Sequence, residues 1–104
     1  MKVIMMCKTK ILPGKMAEYM ELEKRMFALT KGAAAMPPYK RLMLMSGAGD
    51  MQHTITYIFE FDNLAAMDKW AALAGAPEFR ELMPKFDSVI ASHEHDVFME
   101  APLP

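Results

Sequence analysis

Glu23 is the residue whose position most invites chemistry. On a helical wheel at about 100° per residue it falls among Tyr19, Met20, Met26 and Phe27, near the centre of an apolar arc. Glu18, Glu21, Lys24 and Arg25 take the opposite side. A carboxylate buried there is costly to ionise, its pKa would rise, and it would serve as a general base toward a phenolic or α-carbonyl substrate. The plainer alternative, which structural ion pairs favour, has Glu23 pointing out at the end of the sheet or meeting a lysine across a dimer.

His93 and His95 are two apart in a strand-like run, so they leave one face about 7 Å from each other, a spacing open to a shared ion. Glu94 and Asp96 fall on the opposite face. His53 starts a neighbouring strand expected to run antiparallel to the last one, about eight residues at about 3.3 Å each from the pair. With no third ligand at hand, the pair reads as solvated or interfacial; no metal and no cofactor is expected, and His95 joins Glu23 as a candidate to remove a proton. Cys7, between apolar neighbours in a strand, reads as an inert thiol. Gly47-Ala48-Gly49 precedes a strand, so the helix N-terminus that a phosphate cradle needs is missing.

Trp70 and Tyr57 suggest an aromatic wall, and Ala71 and Ala74 beside the tryptophan leave space over a sheet. A pocket between helices and sheet would draw its lining from Trp70, Tyr57, Tyr19, Met83 and Phe59. The alternative is that these side chains simply fill the core.

The elements that must position these groups follow from the residue pattern. Val3 to Leu12 is apolar and β-branched and stops at Pro13-Gly14, which predicts a strand. A helical period then runs from Lys15 to about Lys31, with Gly32 as its stop. Tyr39 to Met45 and Gln52 to Phe61 form a hairpin around Ser46 to Asp50. Asp62 or Asn63 caps a helix from Leu64 to Ala74, with Met67, Trp70, Ala71 and Ala74 on one side. Pro77 opens a further helical segment that Pro84 is expected to break or kink. Ser92 to Glu100 is the last strand.

The order strand, helix, strand, strand, helix, strand is that of the α+β ferredoxin-like βαββαβ fold, with a four-stranded antiparallel sheet. Helices cover one face of such a sheet. Val3, Met5, Cys7, Tyr39, Met43 and Met45 on one face and Ile4, Met6, Leu42 and Leu44 on the other are more apolar sheet than two helices can hide, whichever face they cover, which predicts a homodimer packed sheet on sheet.

The chain has 104 residues and a formal net charge of −1, enough for one domain spanning residues 1–104. Balanced charge gives no footprint for nucleic acid or an anionic membrane. Only five apolar residues, Val3 to Cys7, precede Lys8, too few for a signal-peptide core, and no apolar run approaches a membrane span. With a lone cysteine, the expected location is the cytoplasm. The methionine content is high at 13 residues; these flexible side chains fall on several inferred inner faces, where they would repack around varied apolar guests.

Three stretches resemble a known superfamily, the dimeric α+β barrel proteins, and within it NIPSNAP-like and antibiotic-biosynthesis-monooxygenase-like domains. They are the strand ending in Pro13-Gly14-Lys15, the passage from Phe59-Glu60-Phe61-Asp62 into Leu64-Ala65-Ala66-Met67-Asp68-Lys69-Trp70, and Ala76-Pro77-Glu78-Phe79-Arg80. The resemblance implies two ferredoxin-like protomers packed sheet on sheet, often with a small-molecule pocket in each. Haem-degrading members use an Asn, a Trp and an iron-ligating His. Trp70 matches the Trp, but Cys7 stands at the Asn position and Met83 at the His position, so haem degradation is not implied.

The leading expectation is a NIPSNAP-like homodimer holding an apolar or aromatic metabolite between helices and sheet. The alternatives are a cofactor-independent monooxygenase or isomerase acting on an activated phenol or enol, and a structural or interaction module with a filled core.

Overall fold

The computed structural model of the protein describes residues 1–33, 35–47 and 52–104. Its elements are β1 (Val3–Ile11), α1 (Met16–Thr30), β2 (Tyr39–Met43), β3 (Thr54–Phe61), α2 (Leu64–Leu73), α3 (Pro77–Asp87) and β4 (Ile90–Met99). They form the ferredoxin-like α+β fold, with sheet order β2-β3-β1-β4 and antiparallel pairing throughout. Of the reversal expected over Ser46 to Asp50, the part from Ala48 onward lies outside the described residues.

β1 shows why this chain makes a two-faced sheet. Val3, Met5, Cys7, Thr9 and Ile11 are buried under the helices, and the residues between them are half-buried on the other face. Register carries the same alternation across β3, where Cys7 lies opposite Tyr57 and Thr9 opposite Ile55. Tyr19 of α1 and Leu82 and Phe86 of α3 close the core from above, with the Tyr19 and Phe86 rings edge to face at 5.7 Å.

The last strand departs from expectation. β4 pairs with β1, not β3, and therefore runs in the same direction as β3. The crossover through α2 and α3 returns the chain to the end of the sheet where β3 began. Thr9 faces His93 on one side and Ile55 on the other, so the histidines sit at the Thr54 end of the sheet and His53 lies toward that same end.

Both helices of the second crossover also differ in detail. α3 runs unbroken through Pro84. Pro84 and Arg80 are exposed, so the carbonyl that loses its helical partner faces water. In α2 the inner arc is Ala66, Met67 and Trp70, while Ala71 and Ala74 are exposed and leave no space over the sheet. Asn63 is the cap: its Oδ1 accepts the Ala66 N–H at 2.8 Å.

The methionines are less central than their pattern suggested. Met5 is fully buried, and Met16, Met26, Met36 and Met67 pack at the margin of the core. Met20, Met43, Met45, Met83 and Met99 are exposed. Both edge strands are largely exposed, because the three helices sit over β1 and β3 and meet β2 only through side chains such as Glu23 with Arg41 and Phe27 with Tyr39.

Replacing Asn63 with Ala removes the acceptor for one orphan N–H at the start of α2 and is expected to lower the unfolding free energy by about 1 kcal/mol. The readout is a lower denaturant midpoint at unchanged slope; an unmoved midpoint would show that the cap contributes nothing.

Candidate functional site

Tyr19 and Glu23 are four residues apart in α1 and so project from the same side, onto the sheet. Beneath them Tyr57 of β3 stands beside Arg41 of β2. Glu23 is 4% exposed. Its Oε2 accepts Arg41 Nε at 2.8 Å and its Oε1 accepts Arg41 Nη2 at 2.9 Å, a two-pronged pair. The Tyr57 hydroxyl also donates to Oε2. The cost of an ionised carboxylate in the core is thus offset by one guanidinium and one phenol.

The hydrogen bonds continue away from Glu23 in one direction. Tyr57 has a single hydroxyl hydrogen, given to Glu23, so at the 2.7 Å contact between phenols Tyr19 is the donor. The Thr9 hydroxyl acts on Tyr19 from the other side and lowers its pKa against the burial that raises it. Thr9 Oγ1 lies 2.7 Å from His93 Nδ1, and His93 Nε2 lies 3.0 Å from His95 Nε2, with the donor in each pair set by the tautomer. A chain of polar contacts leads from the β4 surface, through the core, to the carboxylate near β2.

The local electrostatics follow. Burial, with the Glu23 charge adding to it, raises the Tyr19 phenol well above the usual range. Burial pushes the Cys7 thiol up to about 11, so the inert thiol expected from the sequence is a buried one. His93 is held below the ordinary imidazole range by burial first and by His95 second. The Arg41 guanidinium is raised, chiefly by its hydrogen bond to Glu23.

The expected site residues are only partly brought together. Glu23, Tyr19 and Tyr57 form one cluster, with Glu23 inward and its cation an arginine of the same chain rather than a lysine across a dimer. Phe59 and Trp70 form a second, aromatic cluster, their centroids 4.8 Å apart and Phe61 alongside. His95 belongs to the far end of the donor chain. Met83 is exposed and lies outside the core, because its side of α3 faces solvent.

Space for a ligand opens elsewhere. A groove of about 560 Å³ lies at the seam between the C-terminal half of α1 and the start of β2, lined by Phe27, Met36 and Tyr39 with Lys24 and Lys31. Phe27 and Tyr39 stack at 5.6 Å, and Phe27 also meets Tyr57 edge to face at 6.3 Å, which joins the groove to the Glu23 cluster. A second groove of about 500 Å³, between α1 and α3, is walled by Glu18, Glu21, Arg25 and Lys85.

Arg41 and Thr9 are the members that sequence reasoning passed over. Each left a signal. Arg41 alternates with Tyr39 and Met43 on the inner row of β2, and Thr9 is the one hydroxyl in the row Val3, Met5, Cys7, Thr9, Ile11.

No protein-family model and no curated protein matches the chain. Solved structures do share its fold. A NIPSNAP family protein from Agrobacterium tumefaciens superposes with a TM-score of 0.77 at 14% identity, over 99% of this chain and 89% of that one. An antibiotic biosynthesis monooxygenase gives 0.75 at 14% identity, over 96% and 99%. A cofactor-independent oxygenase from Streptomyces nogalater gives 0.69 at 15% identity, over 98% and 95%. These are fold relationships of the kind the sequence motifs suggested.

Two outcomes follow from these buried groups. Arg41→Ala strands the Glu23 carboxylate in the core and is expected to cost about 3 kcal/mol, the lower end for a broken buried pair because the arginine is 30% exposed. The double variant Glu23→Gln, Arg41→Met is expected to cost less than Arg41→Ala alone; a larger loss in denaturant titration contradicts this account. Above about pH 8.5 the unfolded chain releases the Cys7 proton that the folded chain keeps, so stability is full below that pH and falls as pH rises toward the folded value. The thermal midpoint is therefore expected to drop between about pH 8.5 and 11, less steeply for Cys7→Ala; identical slopes for the two proteins refute the assignment.

Proposed function

We propose that the protein is a cytoplasmic, single-domain homodimer that binds an apolar or aromatic small molecule bearing a negative charge, seated between helix and sheet. The groove at Phe27, Met36 and Tyr39 carries this reading. Its volume of about 560 Å³ is in the range of small-molecule sites, its walls are aromatic and thioether, and its lysines suit a carboxylate. The ligand of this proposal lies nearer the β2 edge than the expected ring of Trp70, Tyr57, Tyr19, Met83 and Phe59. None of those five lines the groove, and its link to them is the contact of Phe27 with Tyr57.

The dimer is supported by the sheet face away from the helices. Ile4, Met6 and Ile58 are only half-buried there, with Leu42 and Phe98 46% and 49% exposed, an apolar strip that a second sheet would cover. Among the described residues no helix is long and apolar enough to cross a membrane.

A second reading, a cofactor-independent monooxygenase or isomerase on a phenol or enol, draws on the buried Glu23–Tyr57–Tyr19 cluster. Two proteins of the same fold are named as a monooxygenase and an oxygenase. In that reading Tyr57, with Glu23 behind it, exchanges the proton. It needs a substrate that displaces the Phe27 and Tyr39 rings to reach the phenol. A third reading, a structural or interaction module, needs no ligand at all.

Native mass spectrometry of freshly purified protein, followed by thermal shift with aromatic carboxylic acids and their neutral amides, separates the three. Binding predicts a dimer mass, stabilisation by the acids more than by the amides, and loss of the shift in Tyr39→Ala. Turnover of a bound phenol or enol, abolished by Tyr57→Phe, would move the assignment to the enzyme. A dimer stabilised by nothing would leave the structural module, and a monomer at micromolar concentration would remove the sheet-on-sheet dimer.

A further inference from the structure

We propose that His93 and His95 form a surface chelate for a borderline divalent transition ion, of the Zn²⁺, Ni²⁺ or Cu²⁺ kind, at the β4 edge. The two side chains leave the strand on the same face, as residues two apart must, and their rings converge to a centroid separation of 4.3 Å, nearly perpendicular at 83°. The Nε2 atoms are 3.0 Å apart. Two imidazole nitrogens, each about 2.1 Å from one ion and about 90–110° apart around it, are separated by about 2.9–3.4 Å, so both can bind one ion without rearranging the strand.

The core holds the His93 ring by its inner nitrogen. Nδ1 lies 2.7 Å from Thr9 Oγ1, and a His93 that binds an ion through Nε2 keeps its one proton on Nδ1 and donates it to Thr9. Thr9 is 1% exposed and therefore a fixed anchor. An imidazole held by its second nitrogen on a protein oxygen, with the first directed outward, is the arrangement that orients metal-binding histidines. Without metal, a proton on one Nε2 fills the gap between the rings; the ion replaces that proton, and the imidazole that carried it stays neutral as its Nδ1–H tautomer, so no net proton is lost. The negative charge of Asp87, which acts on His93, favours a cation there.

The lack of a third ligand argues for a merely solvated pair, although the spacing along the strand is open to a shared ion. Ring convergence brings the two nitrogens closer than that spacing alone requires. As to the third ligand, no group of three or more His, Cys, Asp or Glu that could hold an ion occurs among the described residues. The protein thus supplies two positions, and water or an added small-molecule donor supplies the rest. Such a site keeps open positions, as catalytic rather than structural zinc sites do. It lies on the edge of the sheet opposite the Phe27–Tyr39 groove, and so stands apart from the ligand reading.

The test is calorimetric titration of the intact protein with Zn²⁺ and with Ni²⁺. Saturable binding of one ion per histidine pair is expected, weakened at least tenfold by His93→Gln or His95→Gln and unchanged by His53→Gln. Thr9→Val keeps both ligands but frees the His93 ring, and is expected to weaken binding about 10–100-fold. Melting curves establish that each variant folds, Thr9→Val at its buried position on β1 included. Independently of any variant, substoichiometric Cu²⁺ is expected to broaden the imidazole proton resonances of His93 and His95 before those of His53. Absence of saturable heat with either ion, equal affinity in the double glutamine variant, or broadening that starts at His53 would each overturn the site.

Discussion

An ionised carboxylate carried into the interior sets the terms for everything around it. Glu23 sits on the inner face of α1, where packing alone would place a leucine, and water reaches it hardly at all. A buried charge is tolerated only when a counter-charge and hydrogen-bond donors stand ready. That requirement fixes Arg41 on the inner row of β2, Tyr57 opposite it on β3, and the height of α1 above the sheet. The single hydrogen of Tyr57 goes to Glu23, which makes Tyr19 the donor between the two phenols. Farther along, Thr9 Oγ1 meets His93 Nδ1 at 2.7 Å, so a core hydroxyl fixes which histidine nitrogen turns inward and which faces His95.

The second constraint is area. Three helices cover the two central strands, whose inner rows are the most buried in the chain, and leave both edges largely exposed. The candidate ligand groove and the histidine pair occur at those opposite edges, where side chains anchored in the core reach solvent. The aromatic residues between them are in mutual contact, from Tyr39 through Phe59 to Trp70 and Phe61. They stiffen the layer and transmit position, and the recognition chemistry is left to the margins.

Pattern and placement part company at identifiable residues. Alternation in β1 and the helical period of α1 were legible, because side-chain direction in a strand or helix is a local property. A cap at Asp62 or Asn63 and the Gly32 stop, at a positive φ of 78°, were legible for the same reason, and the structure selects Asn63. The inner arc of α2 was displaced by one position, since a short helix of alanines and one tryptophan has no unique apolar side until the sheet beneath it selects one. Pro84 was read as a break because its helical bond is lost, yet solvent at that turn satisfies the freed carbonyl. The direction of β4 relative to β3 depends on which edge the last crossover joins, and no residue in the strand encodes it.

By itself the sequence determined the two-faced sheet, the ferredoxin-like order of elements and the presence of a carboxylate on an apolar helix face, all of them consequences of spacing along one chain. Only the tertiary structure decided that this carboxylate is held by Arg41 and Tyr57, that Met83 and Ala71 face solvent, and that two histidines converge on one point above Thr9. Those outcomes require strands and helices distant in sequence to meet. Hydrogen-bond partnership is a property of atoms brought within about 3 Å, which the chain records only once it has folded.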